Sequence, residues 1–133
     1  MGATFRATSW EVYVAPPWTA TDVGHCIEIT QPAGAGGLHI STARKRSGQV
    51  ADADLRSMAL DALPADTPVE SVSFGDFHGL AGEYVDWGSS AYWKKWWLFS
   101  GPVLLHATYT CSRGDEEVEA DDVERILSSL ATR

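Results

Sequence analysis

Four histidines and two cysteines are the residues of this 133-residue chain that could bind a metal or act in catalysis. They are His25, His39, His78, His106, Cys26 and Cys111. Zinc sites place such ligands at short, regular spacings, such as HExxH or paired CxxC motifs. No such spacing occurs here, and each histidine falls on a different predicted strand. The sequence therefore predicts neither a metal site nor a cofactor.

An enzyme with a nucleophile would need one of these imidazoles beside a hydroxyl or thiol group. Four such groups lie on predicted strands, those of Ser41, Ser73, Thr108 and Cys111. No GxSxG motif identifies a nucleophile among them, so no catalytic residue is assigned. A small-ligand-binding or enzymatic domain stays open as the alternative function, with a pocket lined by aromatic residues and by His39, His78 or His106.

The most unusual segment is residues 92–99, which read Tyr-Trp-Lys-Lys-Trp-Trp-Leu-Phe. Side chains alternate between the two faces of a strand. One face would carry Tyr92, Lys94, Trp96 and Leu98, and the other Trp93, Lys95, Trp97 and Phe99. Such a strand is either covered on both faces, with the lysine ammonium groups reaching solvent at its edge, or it presents aromatic rings to a partner. The second interpretation predicts a protein-binding surface made of Tyr92, Trp93, Lys94, Lys95, Trp96 and Trp97.

Seven of the eighteen carboxylates lie in residues 115–124. A helix is predicted to begin here with Asp115 as its N-cap, because negative charge is favourable at a helix N-terminus. Its apolar stripe is Val123, Ile126, Leu127 and Leu130. The carboxylates are either a solvated helix start, partly balanced by Asp121 and Arg125 at a spacing of four, or a docking surface for a basic partner. The docking interpretation assigns Glu116, Glu117, Glu119 and Asp122 to a secondary acidic surface.

The hydrophobic pattern predicts the scaffold for these segments. Alternating apolar residues predict strands at residues 10–14, 24–30, 38–43 and 69–74, and a three-stranded antiparallel meander over residues 77–111. Residues 52–63 predict a helix capped by Asp52 and ended by Pro64. Its apolar stripe is Leu55, Met58, Ala59, Ala62 and Leu63. The basic residues 44–46 would form a solvated hairpin end. The order βββ-α-ββββ-α indicates an α+β fold, an antiparallel sheet of six to seven strands with two helices packed on it.

Length and composition indicate a single domain over residues 1–133 with an ordinary core, since 44% of the residues are hydrophobic and 21% are charged. The net charge of −8 argues against nucleic acid and anionic membranes as partners, because both are themselves negative. No apolar run approaches the roughly 20 residues of a transmembrane helix. The N-terminus also lacks the apolar core of a signal peptide. We therefore expect a cytoplasmic protein with Cys26 and Cys111 as free thiols.

Both ends of the chain carry short segments with a recognisable pattern. Near the start these are the Val-Ala-Pro-Pro-Trp segment at residues 14–18 and the hairpin over residues 27–40, and in the second half they are residues 79–84, 104–111 and 123–130. With these segments the chain resembles the superfamily of DcrB, PsbP and Mog, whereas the tryptophan-rich residues 92–97 depart from its pattern. The resemblance implies a non-catalytic sandwich domain that binds other proteins, and one branch of the superfamily serves as adaptor chaperones for secreted bacterial toxins. We therefore expect a protein-binding module acting as an adaptor, chaperone or immunity protein, with another protein, such as a toxin, as its partner.

Overall fold

A computed structural model describes residues 2–45, 48 and 50–133 of the chain. In this part of the chain the backbone forms ten strands and two helices. Their bounds are β1 Ala3–Arg6, β2 Trp10–Val14, β3 Thr19–Asp22, β4 Ile27–Thr30, β5 Gly36–Arg44, α1 Asp52–Ala62, β6 Glu70–Phe74, β7 Phe77–Asp86, β8 Ala91–Ser100, β9 Val103–Ser112, α2 Ala120–Ser128 and β10 Ala131–Thr132. The predicted basic hairpin end is only partly covered by the description, because its Arg46 lies outside the described residues.

The strands form two antiparallel sheets. The larger has seven strands in the order β3-β4-β5-β9-β8-β7-β6, and the smaller has three in the order β1-β2-β10. The predicted α+β class, the large antiparallel sheet and the meander of β7, β8 and β9 are confirmed. Three short strands, β1, β3 and β10, were not predicted. Each has four residues or fewer, which is too short for an alternating pattern to stand out.

The seven-stranded sheet has two unequal faces. The face that carries Trp96 and Leu98, here called the inner face, packs in one core cluster with Trp10 and Val12 of β2 and with the apolar side of α2. The indole Nε1 of Trp10 also donates a 2.8 Å hydrogen bond to the hydroxyl of Thr42, which ties the two sheets together. The opposite side, here called the outer face, is covered by α1 over part of its area only.

Helix α1 covers the part of the outer face around Trp97. Its Leu55, Ala59 and Leu63 pack there against the sheet, whereas Met58 and Ala62 of the predicted stripe are exposed. The predicted cap Asp52 is wrong, because Ala51 occupies the N-cap position and Asp52 is the first helical residue. The carboxylate of Asp54 instead accepts a 2.9 Å hydrogen bond from the backbone N–H of Ala51. The carboxylate at the third helical position therefore satisfies the backbone N–H of the N-cap residue, which is one half of a capping box.

Helix α2 begins four residues later than predicted, at Ala120, and its N-cap is Glu119 rather than Asp115. Residues 116–118 form turns, so most of the acidic segment precedes the helix. The apolar stripe of Val123, Ile126, Leu127 and Leu130 is buried, as predicted. Arg125 pairs with Asp122 at 2.8 Å rather than with Asp121. Neither described helix has the length and apolar composition that crossing a lipid bilayer requires.

Candidate functional site

Strand β8 carries the six residues of the predicted aromatic surface, and the structure divides them. Tyr92, Trp96 and Trp97 are buried, with only 2% of Trp96 and 3% of Trp97 exposed. Trp93, Lys94 and Lys95 are partly exposed. The prediction of one continuous surface therefore needs correction. Because β8 pairs with β7 and β9 and has covering layers on both faces, three of the four aromatic rings in the predicted surface belong to the core.

On the outer face, Lys95 lies between two aromatic rings. Its ammonium nitrogen is 5.4 Å from the ring centroid of Tyr84 and 5.3 Å from that of Trp93. These distances allow cation–π attraction to both rings. This half-exposed group lies at the edge of the area that α1 covers, where Tyr84 packs against the cluster around Trp97, and it is what remains of the predicted surface on the outer face.

On the inner face, the aromatic strand and the acidic segment meet around one cavity of about 310 Å³, here called the acidic cavity. Its walls are Glu83, Tyr92, Lys94, Trp96, Tyr109, Glu116, Glu117, Ala120, Asp121, Val123 and Glu124. Three of the six predicted aromatic-surface residues and two of the four predicted acidic ones therefore line a single site. Sequence reasoning had treated the two groups as separate surfaces.

Strand register builds the floor of the acidic cavity. Lys94 lies opposite Glu83 of β7 on one side and opposite Tyr109 of β9 on the other. The hydroxyl of Tyr92 donates a 2.5 Å hydrogen bond to the carboxylate of Glu83. Burial, and then the hydrogen bond to Glu83 and its charge, raise the pKa of Tyr92 well above its ordinary value. Tyr92 therefore stays a neutral hydrogen-bond donor that orients Glu83.

Glu119 lies behind the cavity and not on the surface, which corrects its assignment to the acidic surface. Only 2% of the residue is exposed. Its carboxylate accepts hydrogen bonds from the Tyr109 hydroxyl at 2.7 Å, from the Gly36 backbone N–H at 2.8 Å and from the Gln31 side-chain amide. Burial is the main cause that raises the pKa of the Tyr109 hydroxyl, and the hydrogen bond to Glu119 and its negative charge raise it further. Glu119 thus fixes the start of α2 against β5 and β9.

Asp122, the fourth predicted acidic residue, also lies away from the cavity. Its carboxylate accepts a 3.1 Å hydrogen bond from the indole Nε1 of Trp18 and a 2.8 Å hydrogen bond from Arg125. These bonds hold the Pro-Pro-Trp turn against α2, so the role of Asp122 in the structure is positional.

Charge distinguishes the acidic cavity from the other clefts, and Trp96 in its wall has an unmatched buried donor. Five carboxylates line it and Lys94 is its single cation. The Lys94 ammonium is 5.5 Å from the ring centroid of Trp96, and among the described residues it forms no ion pair within 4 Å. Among all the residues that the structure describes, the indole Nε1 of Trp96 is the one buried side-chain nitrogen or oxygen without a hydrogen-bond partner. Such an orphaned donor is unusual in a folded protein.

Sequence reasoning missed Trp87, which lies in the turn between β7 and β8. Trp87 is 70% exposed, and the guanidinium of Arg113 is 4.7 Å from its ring centroid. The backbone N–H of Arg113 donates a 2.9 Å hydrogen bond to the Ser90 carbonyl, so this turn lies beside the acidic segment. Val118 of that segment is 68% exposed. A tryptophan followed by Gly-Ser-Ser was the available signal, because a turn offers no neighbouring strand to cover the ring.

The histidines make contacts that do not resemble a catalytic arrangement. His106 Nδ1 is 3.2 Å from the Trp96 carbonyl oxygen, His39 Nε2 is 3.2 Å from a Glu28 carboxylate oxygen, and the His78 ring packs on Phe99. His25 precedes β4 and is not on a strand. Burial and the charge of Lys95 lower the pKa of His106.

Within the described ranges, no three histidine, cysteine or carboxylate groups are placed to share a metal ion. Both cysteines are free thiols.

No family model matches the chain, and no curated protein matches it. Solved structures with a similar fold include the following three. A crystal structure from Bacteroides thetaiotaomicron VPI-5482 has a TM-score of 0.67 at 16% identity and covers 93% of this chain, which spans only 45% of that one. LpqN, involved in cell envelope biogenesis of Mycobacterium tuberculosis, has a TM-score of 0.57 at 15% identity, with 99% of this chain and 90% of LpqN covered.

The solution structure of cyanobacterial PsbP (CyanoP) from Synechocystis sp. PCC 6803 has a TM-score of 0.50 at 13% identity, with 99% of this chain and 92% of that chain covered. At such identities the likeness concerns the fold and does not carry over an activity. The resemblance expected from the sequence is confirmed at this level: the chain has the fold of PsbP and LpqN.

Proposed function

We propose that this chain is a non-catalytic protein-binding module, and that it contacts its partner with the end of the molecule that holds the acidic cavity, Trp87 and Val118. The observation that carries the proposal is the 70% exposed ring of Trp87, beside a segment whose carboxylates line a cavity. Folded chains bury most of their large aromatic rings, and this ring is held in the open by the turn that carries it.

The chemistry of this end suits a protein partner. Trp and Arg are the residue types most enriched among those that dominate binding energy, and here Trp87 and Arg113 stack on each other. The exposed Val118 adds apolar area, and the neighbouring carboxylates supply a polar rim. An apolar centre within a charged surround is the usual composition of a protein interface.

The finer roles expected from the sequence belong to this proposal. An adaptor, a chaperone and an immunity protein each need one stable contact surface and no catalytic group, and a secreted toxin is one class of partner that such a surface would serve. The cytoplasmic location is part of the same proposal, and cell fractionation with an antibody against the chain would test it.

Substitution of Trp87 by Ala tests the proposal. We expect the variant to lose at least about tenfold in partner capture, because an exposed interface tryptophan commonly contributes 2 kcal/mol or more, roughly a factor of 30. Its thermal unfolding should match that of the unmodified chain. The measurement is affinity capture with chemical crosslinking and mass spectrometry, followed by a titration with the purified partner.

The matched control is Leu60→Ala, because Leu60 is an 81% exposed apolar residue on α1, on the opposite face of the sheet. The control should keep full capture. Capture that is unchanged by Trp87→Ala, or reduced equally by Leu60→Ala, would contradict the proposed surface.

A further inference from the structure

We propose that the part of the outer face that α1 leaves open binds a neutral oligosaccharide. The site, here called the outer-face site, consists of Tyr84, Trp93, Lys95, Thr108, Thr110 and His39. It goes beyond the proposed protein contact, because it uses other residues and another class of ligand. The inference rests on the side chains that the strand register places next to one another on this face.

Strand register places two aromatic rings at one end of the outer-face site. Side chains of residues that are paired between neighbouring strands point to the same face of the sheet. Tyr84 lies opposite Trp93, Trp93 opposite Thr110, and Thr110 opposite Gly37. Both rings are partly exposed. Because Gly37 carries no side chain, the row descends from the rings to a shallow floor.

The neighbouring row of side chains is polar along its whole length. Lys95 lies opposite Thr108, Thr108 opposite His39, and His39 opposite Glu28. All four are partly exposed, and His39 Nε2 is 3.2 Å from a carboxylate oxygen of Glu28. The row thus offers both hydrogen-bond donors and acceptors. It crosses four strands, or about 14 Å, so a short oligosaccharide would contact the whole row, whereas a single sugar ring would not.

Charge and polarity select the class of ligand. The opposite charges of Lys95 and Glu28 cancel, so the site does not supply the clustered cations that a phosphate ligand needs. From β9 to β4 the two rows contain no aliphatic side chain, which a lipid or the apolar centre of a protein interface would require. A sugar ring has C–H groups that pack on aromatic rings and hydroxyl groups at its rim that donate and accept hydrogen bonds. Both kinds of partner are present here.

Lys95 connects the aromatic and the polar parts of the outer-face site. Its ammonium lies near both rings, 5.4 Å from the centroid of Tyr84 and 5.3 Å from that of Trp93. It forms no ion pair within 4 Å among the described residues. Its flexible chain allows the ammonium to move to the rim of a sugar that packs on the rings and to donate hydrogen bonds to the sugar hydroxyls.

Proton–nitrogen NMR spectra of the whole chain provide the test. The probes are maltotetraose, cellotetraose and mannotetraose, and the control is sorbitol, which has hydroxyl groups but no ring. We expect at least one probe to shift the Trp93 indole signal and the amide signals of Thr108 and Thr110 with saturation. The shift should be the same at low and high salt, because the ligand is neutral. Sorbitol should leave these signals in place.

Three variants of the outer-face site sharpen the test. Trp93→Leu should lower the affinity for the bound oligosaccharide at least about tenfold, because it removes the aromatic surface. Thr108→Val keeps the shape of the side chain and Lys95→Met keeps most of its length, and each should lower the affinity about fivefold through the loss of hydrogen bonds. The matched control is Tyr13→Leu, because Tyr13 is a 45% exposed aromatic residue on β2 of the smaller sheet. It should have no effect, and circular dichroism checks the fold of each variant.

The inference is overturned if none of the three oligosaccharides shifts these signals with saturation, or if sorbitol shifts them equally. It is also overturned if Thr108→Val and Lys95→Met both keep the full affinity. These outcomes are separate from the test of the proposed function, which measures partner capture with other variants. If Trp93→Leu lowered partner capture while no oligosaccharide bound, the outer face would be a protein contact and the saccharide inference would be wrong.

Discussion

The two faces of β8 carry nearly the same residue types and have different surroundings. Each face has a lysine next to tryptophan, Lys94 beside Trp96 on the inner face and Lys95 beside Trp93 on the outer face. On the inner face a second sheet and α2 cover the strand, and the acidic cavity lies between the strand and the start of α2. On the outer face α1 covers only the area around Trp97. The covering layer, and not the residue type, therefore decides whether a ring belongs to the core.

The charged surroundings of the two lysines also differ between the two faces of the strand. Lys95 lies between two aromatic rings on a half-open surface. Lys94 is held near five carboxylates that it does not pair with, over a ring whose N–H is unsatisfied. A lysine in the same strand is thus a solvated neighbour of aromatic rings in one case and the single cation of a charged cavity in the other.

The largest effect that would separate the faces comes from truncating their tryptophans. Trp96→Ala should lower the free energy of unfolding by about 3–5 kcal/mol, because it removes a buried ring and leaves a cavity. Trp93→Ala should lower it by about 1 kcal/mol, because the ring is only half covered. Urea unfolding monitored by circular dichroism gives both values. If both variants lowered the free energy of unfolding equally, the rings on the two faces would be equally buried, which would contradict this difference between the faces.

A smaller effect tests how the acidic segment is attached to the inner face. Glu119→Ala should cost about 3 kcal/mol, because it leaves the Tyr109 hydroxyl and the Gly36 N–H buried without their acceptor. Glu117→Ala, two residues away on the surface, should stay within about 0.5 kcal/mol of the unmodified chain. Chemical unfolding compares the two. If Glu119→Ala kept the free energy of unfolding of the unmodified chain, other contacts would hold the acidic segment in place.

The smallest effect is a pH dependence that belongs to the outer face. Burial and Lys95 lower the pKa of His106 below its ordinary value, so below pH about 6.5 the unfolded chain binds a proton that the folded chain does not. Stability from this site is complete above that pH and is lost as the pH falls toward the native pKa. Unfolding free energies between pH about 7.5 and about 5 should fall less steeply in His106→Asn than in the unmodified chain. His25→Asn, at an exposed position, is the control and should keep the full slope.

Much of the scaffold follows from local pattern. The alternation in residues 92–99 predicted which side chains share a face, and the spacing of Val123, Ile126, Leu127 and Leu130 predicted the buried side of α2. Both patterns repeat over several residues, so they survive small errors in the ends of the elements. The predicted cap Asp52 failed because the carboxylate of Asp54 bonds to the backbone at the start of α1 from within the first turn. The predicted cap Asp115 failed because α2 begins only after Glu119, which tertiary hydrogen bonds to Tyr109 and Gly36 hold in place.

The candidate site could be predicted only in part, because it depends on which segments meet. The sequence singled out Tyr92, Lys94, Trp96, Glu116 and Glu117, but it contains no sign that they line one cavity. That meeting is set by tertiary contacts, among them the hydrogen bonds that bring Glu119 to Tyr109 and Gly36. The burial of Trp97 likewise depends on where α1 lies, since the strand alone leaves both faces equivalent.

The acidic cavity also has a consequence for truncated forms of the chain. Its aromatic wall comes from β7 to β9, whereas four of its five carboxylates lie in residues 116–124. A chain that ended at Ser112 would therefore keep Tyr92 and Trp96 but only Glu83 of the five carboxylates, so the negative charge of this site depends on the last fifth of the sequence.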